Sequence, residues 1–233
     1  MSDSGHILTQ FDDALKSLGA DVAGLKPVLV GGLEAVERAL MAGDVRGLQD
    51  VREEAASIER SVADVENAGR LILVRFRPVA TDLRYVLARV RVCSVAMELA
   101  EELAELAKRA LALVEANEAG EPDVLAEMQR VRPLFDMAVN ELRDGLDALE
   151  GPDVDLAASV RRRDAELDQL HAQLISDFID SLSSDGRGKA HSARWLVDAV
   201  FLVRSIERVG DLAKNIADEV VFVATAKADY HAG

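Results

Sequence analysis

The chain has 233 residues, 49% of them apolar and only 4% aromatic, and its formal net charge is −15. That charge argues against nucleic acid or anionic lipid as a main partner, since either needs a surplus of Lys and Arg on the contact face; it suits a binder of cations or of a basic protein surface. The lone cysteine, Cys93, allows no internal disulfide and points to a reducing compartment.

No apolar run approaches the roughly 18–20 residues needed to span a bilayer. The N-terminus lacks the basic start and apolar core of a signal peptide. A cytoplasmic protein without membrane insertion is expected. Length allows one or two domains, and abundant Ala, Leu, Val and Glu favour packed helices.

Six helices can be drawn in chain order. The first covers about 7–41, with Phe11, Leu15, Leu18, Val22, Leu25, Leu29, Leu33, Val36 and Leu40 as its apolar stripe. Pro27 should kink it. Gly43 and Asp44 should end it and cap the next. Helix two covers about 45–76 and stops at Pro78. Helix three covers about 81–118, with Asp82 in its first turn, where a carboxylate meets the positive helix end. Its acidic cluster, Glu98, Glu101, Glu102 and Glu105, reads most simply as a solvated face paired with Lys108 and Arg109. Gly120 to Asp123 is a linker. Helix four covers about 124–149, with Pro133 as a second kink. Helix five covers about 154–182, a polar loop spans Ser183 to Gly188, and helix six covers about 191–224.

Helix six carries Glu207, Asp211 and Asn215 at i, i+4 and i+8, on a face beside its apolar stripe. Stacking two carboxylates this way costs about 0.2–0.5 kcal/mol in an isolated helix. Gly210 between them costs up to ~1 kcal/mol relative to alanine. A bound cation would offset the first cost and close approach of another helix the second. Neutralisation of Glu207 and Asp211 by Arg208 is the plainer alternative.

The two halves match when shifted. Ala39 and Leu40 align with Ala148 and Leu149, Asp44 and Val45 with Asp153 and Val154, and Val51 with Val160, all 109 positions apart. Further on, Arg84 aligns with Arg194, Val90 with Val200 and Ala107 with Ala217, 110 apart. A period this long is no solenoid repeat; it indicates a duplicated three-helix unit. The expected fold is all-α, two tandem three-helix bundles, with units at 1–119 and 120–233. Under the shift, Asp164 and Asp168 face Ala55 and Glu59, and Glu207, Asp211 and Asn215 face Met97, Glu101 and Glu105. Only the second unit keeps two acidic pairs.

Three segments carry a family resemblance: Arg77-Pro78-Val79-Ala80-Thr81-Asp82-Leu83-Arg84, then Arg163-Asp164-Ala165-Glu166-Leu167-Asp168, then Glu207-Arg208-Val209-Gly210-Asp211 with Asn215-Ile216-Ala217. Together they resemble the PhoU family, phosphate-signalling regulators of bacteria. The resemblance implies tandem three-helix bundles with metal sites built from acidic pairs, holding a divalent or trivalent ion of the iron, zinc, manganese or magnesium class. It makes Asp164, Asp168, Glu207 and Asp211 the expected ligands, with Asn215 secondary. Glu59, Glu101 and Glu105 form a weaker, degenerate first-unit site, because Ala55 and Met97 stand where carboxylates are expected. It also implies a negative regulator, a homodimer, bridging the ATPase subunit of a phosphate ABC transporter and a sensor histidine kinase.

No nucleophile elbow, Gly-rich phosphate loop or Cys/His pair is present, so no enzyme is expected. The alternative is a carboxylate-bundle metalloprotein, a metal store or di-metal oxidase-like enzyme. Asp168 and His171 give it one of the two histidine motifs that such centres use. Trp195 is read as a core residue.

Overall fold

Apolar residues recurring every three or four positions produce helices throughout, and no strand occurs among the described residues. The computed structural model describes residues 3–120, 124–182 and 191–226. The expected 183–188 loop, most of the 120–123 linker and residues 227–233 lie outside them.

The first unit comprises α1 (Asp3–Ala23), α2 (Lys26–Ala42), α3 (Val45–Ala55), α4 (Ile58–Phe76) and α5 (Ala80–Glu118). The second comprises α6 (Val124–Met128), a single 3-10 turn (Gln129–Val131), α7 (Arg132–Glu150), α8 (Val154–Leu182) and α9 (Ala193–Thr225). The sequence places most of these boundaries within a residue or two. Where it expects kinks at Pro27 and Pro133, the chain instead starts new helices, each with its proline as second residue. Proline has no N–H to donate, and the first turn of a helix is where none is required. The second expected helix is interrupted by a two-residue turn at Ala56 and Ser57, both of which keep right-handed helical angles.

The caps repeat with the duplication. Gly43 turns out of α2 at φ 67°, and the Asp44 carboxylate then accepts the Gly47 N–H at 3.0 Å. In the second unit, Asp153 accepts from the N–H groups of Asp155 and Leu156, both at 3.0 Å. At the first signature segment, Arg77 closes α4 in the left-handed region. Arg84 reaches from α5 to the carbonyl of Val223 near the end of α9, at 3.0 Å.

Within the second unit α7, α8 and α9 pack on one another; in the first, α2, α3 and α5 do so, and α4 packs on α5 and α1. The units lie side by side. The largest helix contact among the described residues joins α5 to α9, and α2 meets α7. One apolar core runs through both, from Leu18 and Leu25 to Ile216 and Val220. Ion pairs line the seam: Lys26 with Asp147, Arg143 with Glu34 at 2.6 Å, and Arg91 with Glu219 at 3.3 Å. Trp195 is 1% exposed and packs edge-on to Phe178, as a core residue should. No described helix is long and apolar enough to cross a membrane.

Candidate metal centre

Helix α8 places Asp164 and Asp168 one turn apart, and α9 places Glu207 and Asp211 likewise. Packing of α8 on α9 brings the two pairs into one cluster. Burial pushes the Glu207 carboxyl up, and the charges of Asp211, Asp168 and Asp164 push it further. Burial also raises Asp168, helped by Asp164 and Asp211. The cluster grades outward, from Asp164 at 6% exposure, through half-buried Glu207 and Asp211, to exposed Asp168.

Two residues that the sequence reading missed complete the cluster. The Lys214 ammonium donates to Asp164 Oδ2 and stands 3.8 Å from Asp211 Oδ1. Burial pulls Lys214 down, yet the Asp164 hydrogen bond and the charges of Asp164, Asp211 and Asp168 prevail and hold it above its ordinary value. The second is Glu141 on α7, only 1% exposed, with no partner for either carboxylate oxygen. Burial, then the charges of Asp164 and Asp168, push its carboxyl up to about 7, against the smaller opposing pulls of Arg163 and Lys214.

Both have a positional signal. At about 100° per residue, i+8 lies some 80° round the helix from i, whereas i+7 lies about 20° away. Lys214, seven residues after Glu207, therefore stays under the acidic face. Asn215, at i+8, is exposed and carried off it. Glu141 falls on the buried stripe Leu134, Ala138, Glu141, Gly145, Ala148, where a carboxylate is out of place.

Gly210 gives the cluster its room. A β-carbon there would sit 2.9 Å from Leu167 Cδ1 and 3.1 Å from Glu141 Oε2. The expected close approach is thus made by side chains of α8 and α7. Arg208 divides its charge, donating to Glu98 Oε2 at 2.7 Å and standing 3.8 Å from Asp211. It compensates Asp211 only in part.

An open groove of about 640 Å³ runs past the centre; Arg109, Arg204, Arg208, Glu207 and Asp211 are among its walls. His171 also lines it, half-buried, with Nε2 unpartnered and its pKa lowered by burial.

The first unit has the matching depression. Ala55, Glu59, Met97, Ala100, Glu101 and Ala104 line it, the shifted equivalents of Asp164, Asp168, Glu207, Gly210, Asp211 and Lys214. Glu105 does not join it; it is held by Lys108 at 2.9 Å and Arg109 at 2.6 Å, on the wall of the larger groove. Among the described residues, no three of His, Cys, Asp or Glu already stand as a coordination sphere. At the second-unit centre the ammonium of Lys214 lies among the carboxylates instead.

Fold and cluster define a class: an all-helical protein of two duplicated bundles, the second holding an acidic centre between its last two long helices. The PhoU domain family model matches residues 131–220, the segment that carries both acidic pairs. A Caulobacter vibrioides protein named phosphate-specific transport system accessory protein PhoU homolog is 30% identical over 191 residues, 82% of this chain and 74% of its own. A Pseudomonas putida protein of the same name is 27% identical over 228 residues, 98% of this chain and 86% of its own. The crystal structure of PhoU from Pseudomonas aeruginosa superposes with a TM-score of 0.83 at 25% identity, covering 93% of this chain and all of that one. The chain belongs to the PhoU family.

Proposed function

We propose that this chain is a cytoplasmic negative regulator of phosphate uptake and phosphate-starvation signalling. It works as a homodimeric, metal-binding adaptor between the ATPase subunit of a phosphate ABC transporter and a sensor histidine kinase. The observation that carries the reading is near full-length similarity to relatives named as accessory proteins of phosphate-specific transport. The acidic centre supports the metal part. Glu141 and Asp164 Oδ1 are buried without partners, and an all-oxygen donor set suits hard cations such as magnesium, manganese or iron.

Asp164 and Asp168 would hold the ion from α8, and Glu207 and Asp211 from α9. A bound cation would offset part of the negative charge of the four carboxylates and couple the two helices. The exposed edge at Asp168 gives access from solvent. Unpartnered His171 Nε2 favours the carboxylate-bundle metalloprotein as second reading.

Binding of the purified chain to the ATPase subunit and to the kinase, with and without metal, tests the adaptor role. Binding to neither partner rejects it. Metal analysis of wild type beside a Glu207→Ala/Asp211→Ala variant tests the centre. An oxidase assay on the loaded protein separates the second reading from the first.

A further inference from the structure

Glu141 stands where helix packing calls for an apolar residue. The positions around it on the stripe of α7 are Leu134, Ala138, Gly145 and Ala148, all buried. A carboxylate taken out of water without a donor is costly, and protein interiors hold such groups paired, neutralised or on a metal. Here neither oxygen has a hydrogen-bond partner, and the charges nearest to it include Asp164, Asp168 and Lys214 of the centre.

The surroundings suit a donor aimed into the centre. Gly210, between Glu207 and Asp211 on α9, leaves the space beside which Glu141 Oε2 lies. Asp164 has its own orphan, Oδ1, while its other oxygen is held by Lys214. One ammonium therefore satisfies part of a donor set that continues past it, onto a third helix. In the first unit the equivalents of Glu141, Gly210 and Lys214 are Gly32, Ala100 and Ala104. Carboxylate, glycine and lysine are missing together where Asp164 and Glu207 are replaced by Ala55 and Met97.

We propose that Glu141 is a further ligand of the second-unit cation site, supplied by α7, and that Lys214 is the resident cation an incoming divalent ion displaces. This rests on the metal reading above. It makes the site a three-helix junction in which an internal ammonium competes with the ion.

The test is Mn²⁺ binding to the full chain after chelator stripping, followed by calorimetry and by the paramagnetic resonance of free Mn²⁺. Wild type is compared with Glu141→Gln, Lys214→Met and Asp211→Asn, each checked for helical content by circular dichroism. Glu141→Gln, nearly isosteric, is expected to weaken Mn²⁺ at least tenfold. Lys214→Met is expected to tighten it at least tenfold, and Asp211→Asn to weaken it. Wild-type affinity in Glu141→Gln beside weakened Asp211→Asn would overturn the ligand role of Glu141 and leave the metal reading standing. Unchanged affinity in Lys214→Met would overturn the displacement. No Mn²⁺ uptake by either wild type or Lys214→Met would remove the metal reading itself and this inference with it.

Discussion

The carbonyl oxygen of Ala213 lies 3.0 Å from the point that a β-carbon on Gly145 would occupy. Helices α7 and α9 touch there through backbone, and backbone cannot rotate aside. A buried methyl forced into such a contact costs about 1–3 kcal/mol. The gain in helix propensity, up to ~1 kcal/mol, offsets only part of it. Gly145→Ala is therefore expected to destabilise the protein in urea denaturation. Gly210→Ala should cost less, because it meets the tips of the Leu167 and Glu141 side chains. Gly31→Ala, with nothing within 4 Å of its β-carbon, should stabilise by up to ~1 kcal/mol. An equal effect at all three sites would contradict this order.

Arg89 is 1% exposed, and burial holds its guanidinium below the usual arginine range. It donates to the carbonyl of Leu149 at 2.8 Å and lies 3.2 Å above the Tyr85 ring centroid. It thereby ties α5 to the last turn of α7. Arg89→Ala should lose about 2–4 kcal/mol, from the cavity and from the donor withdrawn from Leu149. Arg89→Met, which keeps the volume and removes the buried charge, should lose clearly less. Thermal unfolding of the two variants checks the difference.

Cys93 is fully buried, and burial pushes its thiol from 9.0 up to about 12. Native protein should react with a thiol-specific disulfide reagent at pH 8 only as fast as the structure opens, and at full rate in denaturant. The native state keeps this proton where the unfolded chain releases it. Stability contributed by Cys93 is thus complete below pH 9 and declines as pH rises from about 9 towards 12. Rapid labelling of folded protein would refute the burial.

Arg109 bridges Glu105 on its own helix, at 2.6 Å, and Asp198 on α9, at 2.9 Å, beneath the Phe201 ring. Bonds from Lys108 and Arg109 hold the Glu105 carboxyl below its ordinary value, against the opposing effect of burial. Its contribution is present above the unfolded carboxylate range near 4.5 and fades as pH falls through the native value. Arg109→Ala should destabilise by about 1–2 kcal/mol at pH 7 and by less in acid. Urea titrations at pH 7 and pH 3.5 measure both.

Most of the helical order was legible because apolar spacing survives in every long segment. Asp44 announced its cap by position, and Asp153 repeats it at the aligned position of the second unit. The breaks near Pro27 and Pro133 were legible as disturbances, though not as new helix starts. The choice depends on whether the preceding turn packs straight on, which a one-dimensional pattern does not contain. The acidic pairs of α8 and α9 were legible from their i, i+4 spacing, and packing brought them together. Glu141 was not, because a lone carboxylate among leucines and alanines looks like noise until its unpartnered oxygens are seen. Lys214 was not legible either, because a lysine adds no donor to an acidic i, i+4, i+8 pattern, although helical drift keeps i+7 nearer that face. Glu105 looked like a first-unit donor until Lys108 and Arg109 drew it away.

Because α5 rests on its own duplicate α9, and α2 on its counterpart α7, the seam resembles the isologous interface of a twofold dimer made within a single polypeptide. Covalent linkage frees that pairing from protein concentration, so dilution does not part the halves. It also releases each half from the obligation to match the other. One copy can carry lysine, glycine and glutamate at its centre while its sibling gives them up, an asymmetry that no strictly symmetric assembly of identical subunits can encode.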